Sequence, residues 1–150
     1  TDDHTRAITE ELDRSGETDT SRFLVAGAAR SIWVRTRQGM LAEAMPDIRR
    51  KITGVENVII ESNSVIRYLR PDLYLTVLDS ENPDFKESAM EFLDRADGVI
   101  LHKTVAVPKW TAVSLKPVSR RPFFVVEPPV YVNQEIVEFV RDRIKSPRRV

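Results

Sequence analysis

The sequence predicts an α/β fold with an open, mostly parallel, doubly wound sheet, and three observations lead to this prediction. Short apolar runs typical of strands alternate with amphipathic runs typical of helices along most of the 150 residues. Several apolar runs are nearly continuous, which is the pattern of strands covered by helices on both faces of a parallel sheet. The chain also has the usual length of one domain. We therefore predict a single α/β domain over residues 1–150.

Five apolar runs carry the strand prediction. They are residues 31–36, 57–61, 73–78, 98–101 and 122–126. Helices are predicted between and after them, because apolar residues recur there at helical spacing. These helices are residues 23–29, residues 38–51, residues 84–96 after Asn82-Pro83, and residues 133–145 with Asn133 as N-cap and Ile136, Val137, Val140 and Ile144 as the buried stripe. Pro108 and Pro117 predict an irregular segment or a short strand pair over residues 105–119.

Composition restricts the functions open to this chain. Lysine plus arginine and aspartate plus glutamate both number 23, so the net charge is zero and no nucleic-acid partner is expected. The absence of cysteine excludes disulfides and thiolate catalysis and fits a cytoplasmic protein. The apolar runs are far shorter than the roughly 20 residues of a membrane span. The chain begins at Thr1 within a polar stretch, from which we expect a piece of a longer protein.

Polar residues follow the predicted strands, at the edge of the sheet where α/β proteins bind ligands. Glu61 ends the second run, Asp79 follows the third, His102-Lys103 follows the fourth and Glu127 follows the fifth. A carboxylate at the end of a buried strand can hold Mg²⁺, directly or through water, or orient an attacking water. Glu61 is therefore the predicted catalytic and magnesium residue, and the alternative is that it caps a helix beginning near Ser64.

The pair His102-Lys103 is predicted to bind a nucleotide. A lysine stem can lie flat over a purine while its ammonium stays near ribose or phosphate oxygens. The alternative is an exposed pair at a strand end. His4 and His102 each lack a second histidine at ligand spacing, so no zinc site is predicted.

The segment before residues 23–29 contains an acid, a hydroxyl and a base close together. Asp19, Thr20 and Arg22 could contribute to a site, or Asp19 or Thr20 could simply cap the helix that follows. Asp19-Thr20-Ser21-Arg22-Phe23 with Ala26-Gly27-Ala28 resembles a segment of the molybdopterin-guanine dinucleotide biosynthesis protein B family, a family of P-loop NTPases. The resemblance spans residues 19–103 and includes Val58-Ile59-Ile60-Glu61, where that family has a strand with a Walker B role.

The resemblance implies a GTP-binding, magnesium-dependent and dimeric protein that assists guanylylation of the molybdenum cofactor. It implies that Asp19, Thr20 and Arg22 lie on a substrate or switch segment. The chain departs from the family pattern in three places. Ser62 replaces a glycine, His102 and Val105 replace the Asn and Asp of a guanine-reading motif, and no glycine-rich phosphate loop occurs. From that last departure we expect the first strand, loop and helix to be missing, and the bound nucleotide could be GTP or ATP.

Two further functions fit the same predicted fold. A small-molecule kinase or synthetase would use the acids on the substrate side to position an acceptor hydroxyl. A non-catalytic binding or regulatory domain would keep the sheet without phosphoryl transfer. Product analysis would separate the kinase or synthetase from the NTPase. Sequence upstream of Thr1 would separate the binding domain, since a glycine-rich loop ending in Lys-Ser or Lys-Thr supports an NTPase.

Overall fold

Strands and helices alternate along the chain in the computed structural model, which describes residues 6–82, 90–110 and 114–146. They form two compact units, Thr1–Glu61 and Ser62–Val150. The structure describes three α-helices in full, a two-stranded antiparallel ribbon and a three-stranded parallel sheet. The chain is thus mixed α/β, as predicted. None of the helices described is both long and apolar enough to cross a membrane.

Unit 1, Thr1–Glu61, is built on the antiparallel ribbon. Strand β1 (Arg6–Glu10) pairs with β2 (Ile32–Thr36), and Ile8 lies opposite Val34. Along β2 the exposed Trp33 and Arg35 alternate with half-buried residues, so one face of the ribbon is covered and the other is open to solvent. The prediction of a strand within residues 31–36 is confirmed, whereas β1 was not predicted because its sequence, RAITE, is largely polar.

Two helices complete unit 1. Helix α1 (Asp19–Val25) begins earlier than predicted, because Thr18 and Ser21 form a reciprocal capping box at its start. Neither of the predicted caps, Asp19 and Thr20, serves as the N-cap. Helix α2 (Leu41–Ile52) buries Ala44 and Met45 and contains Pro46 in its interior. Its C-terminus is followed by Gly54 at a φ of 78°, the left-handed conformation that commonly ends helices.

The predicted strand over residues 57–61 is wrong. These residues form no strand, and Val58, Ile59 and Ile60 are all exposed, Ile59 by 80%. A segment with high β propensity forms a strand only where a neighbouring strand pairs with it. No strand in the described ranges pairs with residues 57–61. Glu61 therefore ends an exposed irregular segment, not a buried strand.

Unit 2, Ser62–Val150, is built on the parallel sheet. Strands β3 (Leu75–Asp79), β4 (Gly98–His102) and β5 (Phe123–Val126) lie side by side in chain order, with β4 in the centre. All three were predicted, with boundaries that differ by one or two residues. The near-continuous apolar sequence of β4 is explained by its position, because Val99 and Ile100 point to opposite faces and both are buried.

Each face of the parallel sheet has its own apolar core. On one face, Leu78 and Val99 pack with Leu93 and Val118, which come from two short 3-10 helices, Leu93–Arg95 and Lys116–Val118. Of the helix predicted over residues 84–96, residues 84–89 lie outside the described residues, and Met90 and Glu91 are helical. The described part of residues 105–119 contains no strand and is irregular apart from Lys116–Val118.

The other face of the sheet is covered by helix α3 (Gln134–Lys145). The Asn133 side chain caps it by accepting a hydrogen bond from the Ile136 amide at 3.0 Å, which confirms the predicted start. Its packed stripe differs from the prediction. Phe139 takes part, whereas Val137 and Ile144 are exposed, and the apolar residues packed together here are Ile100, Phe124, Val126, Ile136, Leu75, Phe139 and Val140.

The start of β4 is fixed by a buried aspartate and a glycine. The Asp97 carboxylate is 4% exposed, accepts a hydrogen bond from the Tyr74 amide at 2.8 Å and lies 3.5 Å from an Arg143 guanidinium nitrogen. At Gly98 a Cβ atom would lie 3.0 Å from a Leu75 methyl and 3.4 Å from the ring of Phe124. The absence of a side chain at position 98 therefore allows β3, β4 and β5 to pack closely.

Candidate functional site

The carboxyl ends of the three parallel strands bring several polar side chains to one edge of the sheet. Asp79 at the end of β3 is paired in register with His102 at the end of β4, and His102 is paired with Val126 of β5. Glu127 follows directly and is exposed, as is Asp79. This edge, defined by Asp79, His102, Lys103 and Glu127, is named the carboxyl edge. The strand predictions placed all four residues there.

His102 and Lys103 lie on opposite faces of the sheet. The ladder between β4 and β5 continues through Lys103, whose backbone amide donates to the Val126 carbonyl at 2.9 Å. Because side chains alternate along a strand, the His102 ring and the Lys103 stem point away from each other. Both belong to the carboxyl edge, but they cannot contact the same face of one flat ligand.

On the His102 face the ring meets an aromatic side chain. The centroids of the His102 and Tyr131 rings are 5.2 Å apart, with an edge-on interplanar angle of 63°. Tyr131 is 55% exposed, so the pair is a half-open aromatic surface. Tyr131 lies after β5 in the chain, beyond Pro128 and Pro129, and the peptide bond between these two prolines is cis. The sequence analysis did not predict this contact, because nothing in the residue pattern shows where the chain after β5 returns.

On the Lys103 face the loop after β4 is tied to the end of β3 by a buried serine. Ser80 is 1% exposed, and its Oγ accepts a hydrogen bond from the Thr104 amide at 3.0 Å. Its carbonyl accepts from the Lys109 amide at 2.8 Å. The Trp110 indole N–H donates to the Asp79 carbonyl at 2.8 Å. These bonds hold the chain that follows Lys103, while the Lys103 side chain stays exposed.

The group Asp19, Thr20 and Arg22 forms the first turn of α1 and is engaged in local contacts. An Arg22 guanidinium nitrogen lies 3.0 Å from the Asp19 carboxylate, and the Arg22 Nε donates to the Gly16 carbonyl at 3.1 Å. The Thr20 hydroxyl donates to Glu11 at 2.7 Å. That bond is the largest of the contacts that lower the pKa of Glu11, followed by the bond from the Asp13 amide. The structure thus brings Asp19 and Arg22 together and turns Thr20 towards Glu11.

Glu61 is exposed, and another residue bonds the amides of the turn that follows it. The Ser62 hydroxyl accepts hydrogen bonds from the amides of Ser64 and Val65, both at 3.2 Å, before the 3-10 helix Val65–Arg67. Ser62, and not Glu61, therefore bonds the amides at the start of this turn, where Glu61 was alternatively predicted to cap a helix. Within residues 6–82, 90–110 and 114–146, no group of three or more histidine, aspartate or glutamate side chains is arranged to hold a metal ion.

The carboxyl edge is thus the one place among the predicted site residues where acid, imidazole and ammonium groups from different strands lie side by side on a rigid sheet. Comparison with known proteins adds no family to this description. No protein-family model, curated protein or solved structure matches the chain.

Proposed function

We propose that the carboxyl edge of unit 2 binds a nucleotide, GTP or ATP, and that the chain is a P-loop NTPase-like protein. The observation that carries the proposal is the register of the parallel sheet, which aligns Asp79 with His102 and places Lys103 and Glu127 next to them. Open α/β sheets bind ligands beyond the carboxyl ends of their strands, where side chains from neighbouring strands converge.

Each face of the carboxyl edge has a distinct role in the proposed complex. Lys103 lies along one face of the purine with its methylene stem, and its ammonium contacts ribose or phosphate oxygens. The loop behind it is held by Ser80 and Trp110, so little backbone ordering is needed on binding. His102 and Tyr131 form a separate aromatic surface on the other face, against which a ribose or a second ring can pack.

The resemblance to the molybdopterin-guanine dinucleotide biosynthesis protein B family extends the proposal. In this extension the fold is doubly wound, the protein is a homodimer, and it assists guanylylation of the molybdenum cofactor. Glu61 binds Mg²⁺, directly or through water, and orients the water that attacks the terminal phosphate. By the same resemblance, Asp19, Thr20 and Arg22 belong to the segment that would contact the substrate.

Isothermal titration of the chain with GTP and ATP, with and without Mg²⁺, tests the proposal. We expect micromolar binding, weakened about fivefold by Lys103→Gln, which is the loss expected for one exposed charge contact. Lys145→Gln, an equally charge-neutralising change in the last turn of α3, is the control and should leave the affinity unchanged. Hydrolysis measured in parallel should require Mg²⁺ and be abolished by Glu61→Gln.

Different failures remove different parts of the proposal. If neither nucleotide binds, or if Lys103→Gln and Lys145→Gln weaken binding equally, the carboxyl edge is not the nucleotide site. Binding without hydrolysis would instead favour the non-catalytic binding domain, and a phosphorylated acceptor among the products would favour a kinase. A base preference would show which nucleotide the edge recognises.

A further inference from the structure

Unit 1 contains an open cleft of about 710 Å³ between the ribbon and the C-terminal part of α2. This volume is within the range of small-molecule sites. Its lining is unusually cationic, with Arg6 from β1, Arg30 from the turn before β2, and Arg50 and Lys51 from the end of α2. Asp47 is the only carboxylate among the described lining residues. This cleft, named the basic cleft, contains none of the residues of the carboxyl edge.

The ion pairs in the basic cleft leave positive charge without a partner. Arg30 is held by Glu10 through two parallel hydrogen bonds, each 2.9 Å long. Asp47 is shared, because it pairs with Arg6 at 3.2 Å and also with Arg50. One carboxylate therefore faces two guanidinium groups.

Lys51 adds a second uncompensated charge. It forms no ion pair with any carboxylate in the described parts of the chain. Its ammonium nevertheless acts at longer range on Glu10, since it contributes to the lowered pKa of that carboxyl, after the larger effects of Arg30. The four cations of the basic cleft are thus offset by two carboxylates, Asp47 in the lining and Glu10, the partner of Arg30.

The position of these cations is not explained by α2 alone. Basic residues are common in the last turn of a helix, where they offset the partial negative charge of the free carbonyls, and this accounts for Arg50 and Lys51. Arg6 comes from β1 and Arg30 from the turn before β2, both more than ten residues earlier in the chain. Their convergence on the same space indicates a site for an anion.

We propose that the basic cleft binds a small organic phosphate. A phosphate monoester carries a charge of about −1.5 to −2 at neutral pH, which matches the two uncompensated positive charges. Guanidinium groups bind phosphate oxygens in a bidentate geometry. Arg6 and Arg50 share one carboxylate, Asp47, so each can exchange this partner for a phosphate in the cleft. Ile8 and Val55 supply an apolar wall for the organic part.

Titration of the chain with phenyl phosphate, followed by amide chemical shifts, tests this proposal. Lys51→Gln should weaken binding about fivefold, and Asp47→Asn should tighten it by a similar factor, because it removes the competing carboxylate. Opposite changes from two neighbouring charge-neutralising substitutions are not expected from a general loss of structure. Glu10→Gln, which frees Arg30, is a second variant for which tighter binding is expected, and it serves if Asp47→Asn does not fold.

The controls separate this site from the carboxyl edge and from non-specific attraction. Lys103→Gln and Lys145→Gln should leave the affinity for phenyl phosphate unchanged, so failure of the nucleotide site does not affect the result. Inorganic phosphate should bind more weakly than phenyl phosphate, because it makes no contact with Ile8 and Val55. Equal loss in Lys51→Gln and Lys145→Gln, or equal affinity for the two probes, would overturn the proposal, as would tighter binding of an oligonucleotide than of phenyl phosphate.

Discussion

The two units of the chain bury apolar side chains to different extents. In unit 2 the central strand is covered on both faces, and cores form around Val99 on one side and Ile100 on the other. Among the described residues of unit 1, only Leu24, Ala44 and Met45 are buried apolar side chains. Its ribbon is joined to α2 by the ion pair between Arg6 and Asp47, and exposed ion pairs contribute little to stability. The comparison predicts that folding free energy is concentrated in unit 2.

Among the substitutions that test this comparison, Leu78→Ala is expected to change the free energy of unfolding most. Leu78 is fully buried in β3, so its truncation should lower the free energy of unfolding of unit 2 by about 2–5 kcal/mol. Urea unfolding can be followed by Trp110 fluorescence in a Trp33→Phe background, since each unit contains one of the two tryptophans. Val77→Thr is the matched control. Val77 is adjacent but 54% exposed, and a change above about 0.5 kcal/mol there would contradict the assigned burial.

Pro46→Ala in unit 1 is expected to raise the stability, by a smaller amount than Leu78→Ala lowers it. Proline within a helix removes a backbone hydrogen bond and crowds the preceding turn. Part of that destabilisation is offset because proline also restricts the unfolded chain, so we expect a net gain of about 1–2 kcal/mol. The gain should appear as slower amide hydrogen exchange in α2. Pro122→Ala, which lies outside any helix, is the control and should leave this exchange unchanged. An unchanged exchange rate in Pro46→Ala would show that the proline does not limit the stability of α2.

The smallest expected effect concerns the exposed carboxyl of Glu10 in unit 1. The hydrogen bond from Arg30 is the main cause that lowers the pKa of Glu10 from its ordinary 4.5. A carboxyl whose pKa is lower in the folded state stabilises the fold above its unfolded pKa, and this contribution is lost as the pH falls through the folded pKa. A carboxyl NMR titration should therefore have its midpoint below 4.5, and Arg30→Gln should raise it. An unchanged midpoint in Arg30→Gln would contradict the assigned cause.

Local sequence predicted the elements whose structure depends on local contacts or on burial on both faces. Strand β4 is an example, because any residue exposed on either face would have interrupted its apolar run. The start of α3 is another, because Asn133 provides the cap whatever the rest of the chain does. The ribbon is different. Strand β1 exposes one face to solvent, so its sequence carries few apolar residues, and its existence depends on pairing with β2.

The predicted site residues also divide into those whose positions follow from local sequence and those whose positions depend on distant segments. The placement of His102 and Lys103 at the carboxyl edge follows directly from the strand prediction. Their opposite orientation also follows from the two-residue period of a strand, although the pair was predicted to act together. The prediction for Glu61 rested on a strand that does not form. The contact between His102 and Tyr131, and the cations of the basic cleft, depend on segments that are distant in the chain and have no shared motif.

The amino end of β4 has a consequence for the interpretation of mutational scans. Asp97 and Gly98 set where the strand begins, and the side-chain period of a strand means that a slip of one residue would exchange the faces of His102 and Lys103. The two ends of this strand, Gly98 and His102, lie about 13 Å apart at roughly 3.3 Å per residue. Substitutions at Asp97 or Gly98 can therefore imitate the loss of a ligand contact at a position that no ligand touches. A mutational scan that measures only binding would assign these two residues to the site, whereas their role is to maintain the register of the strand.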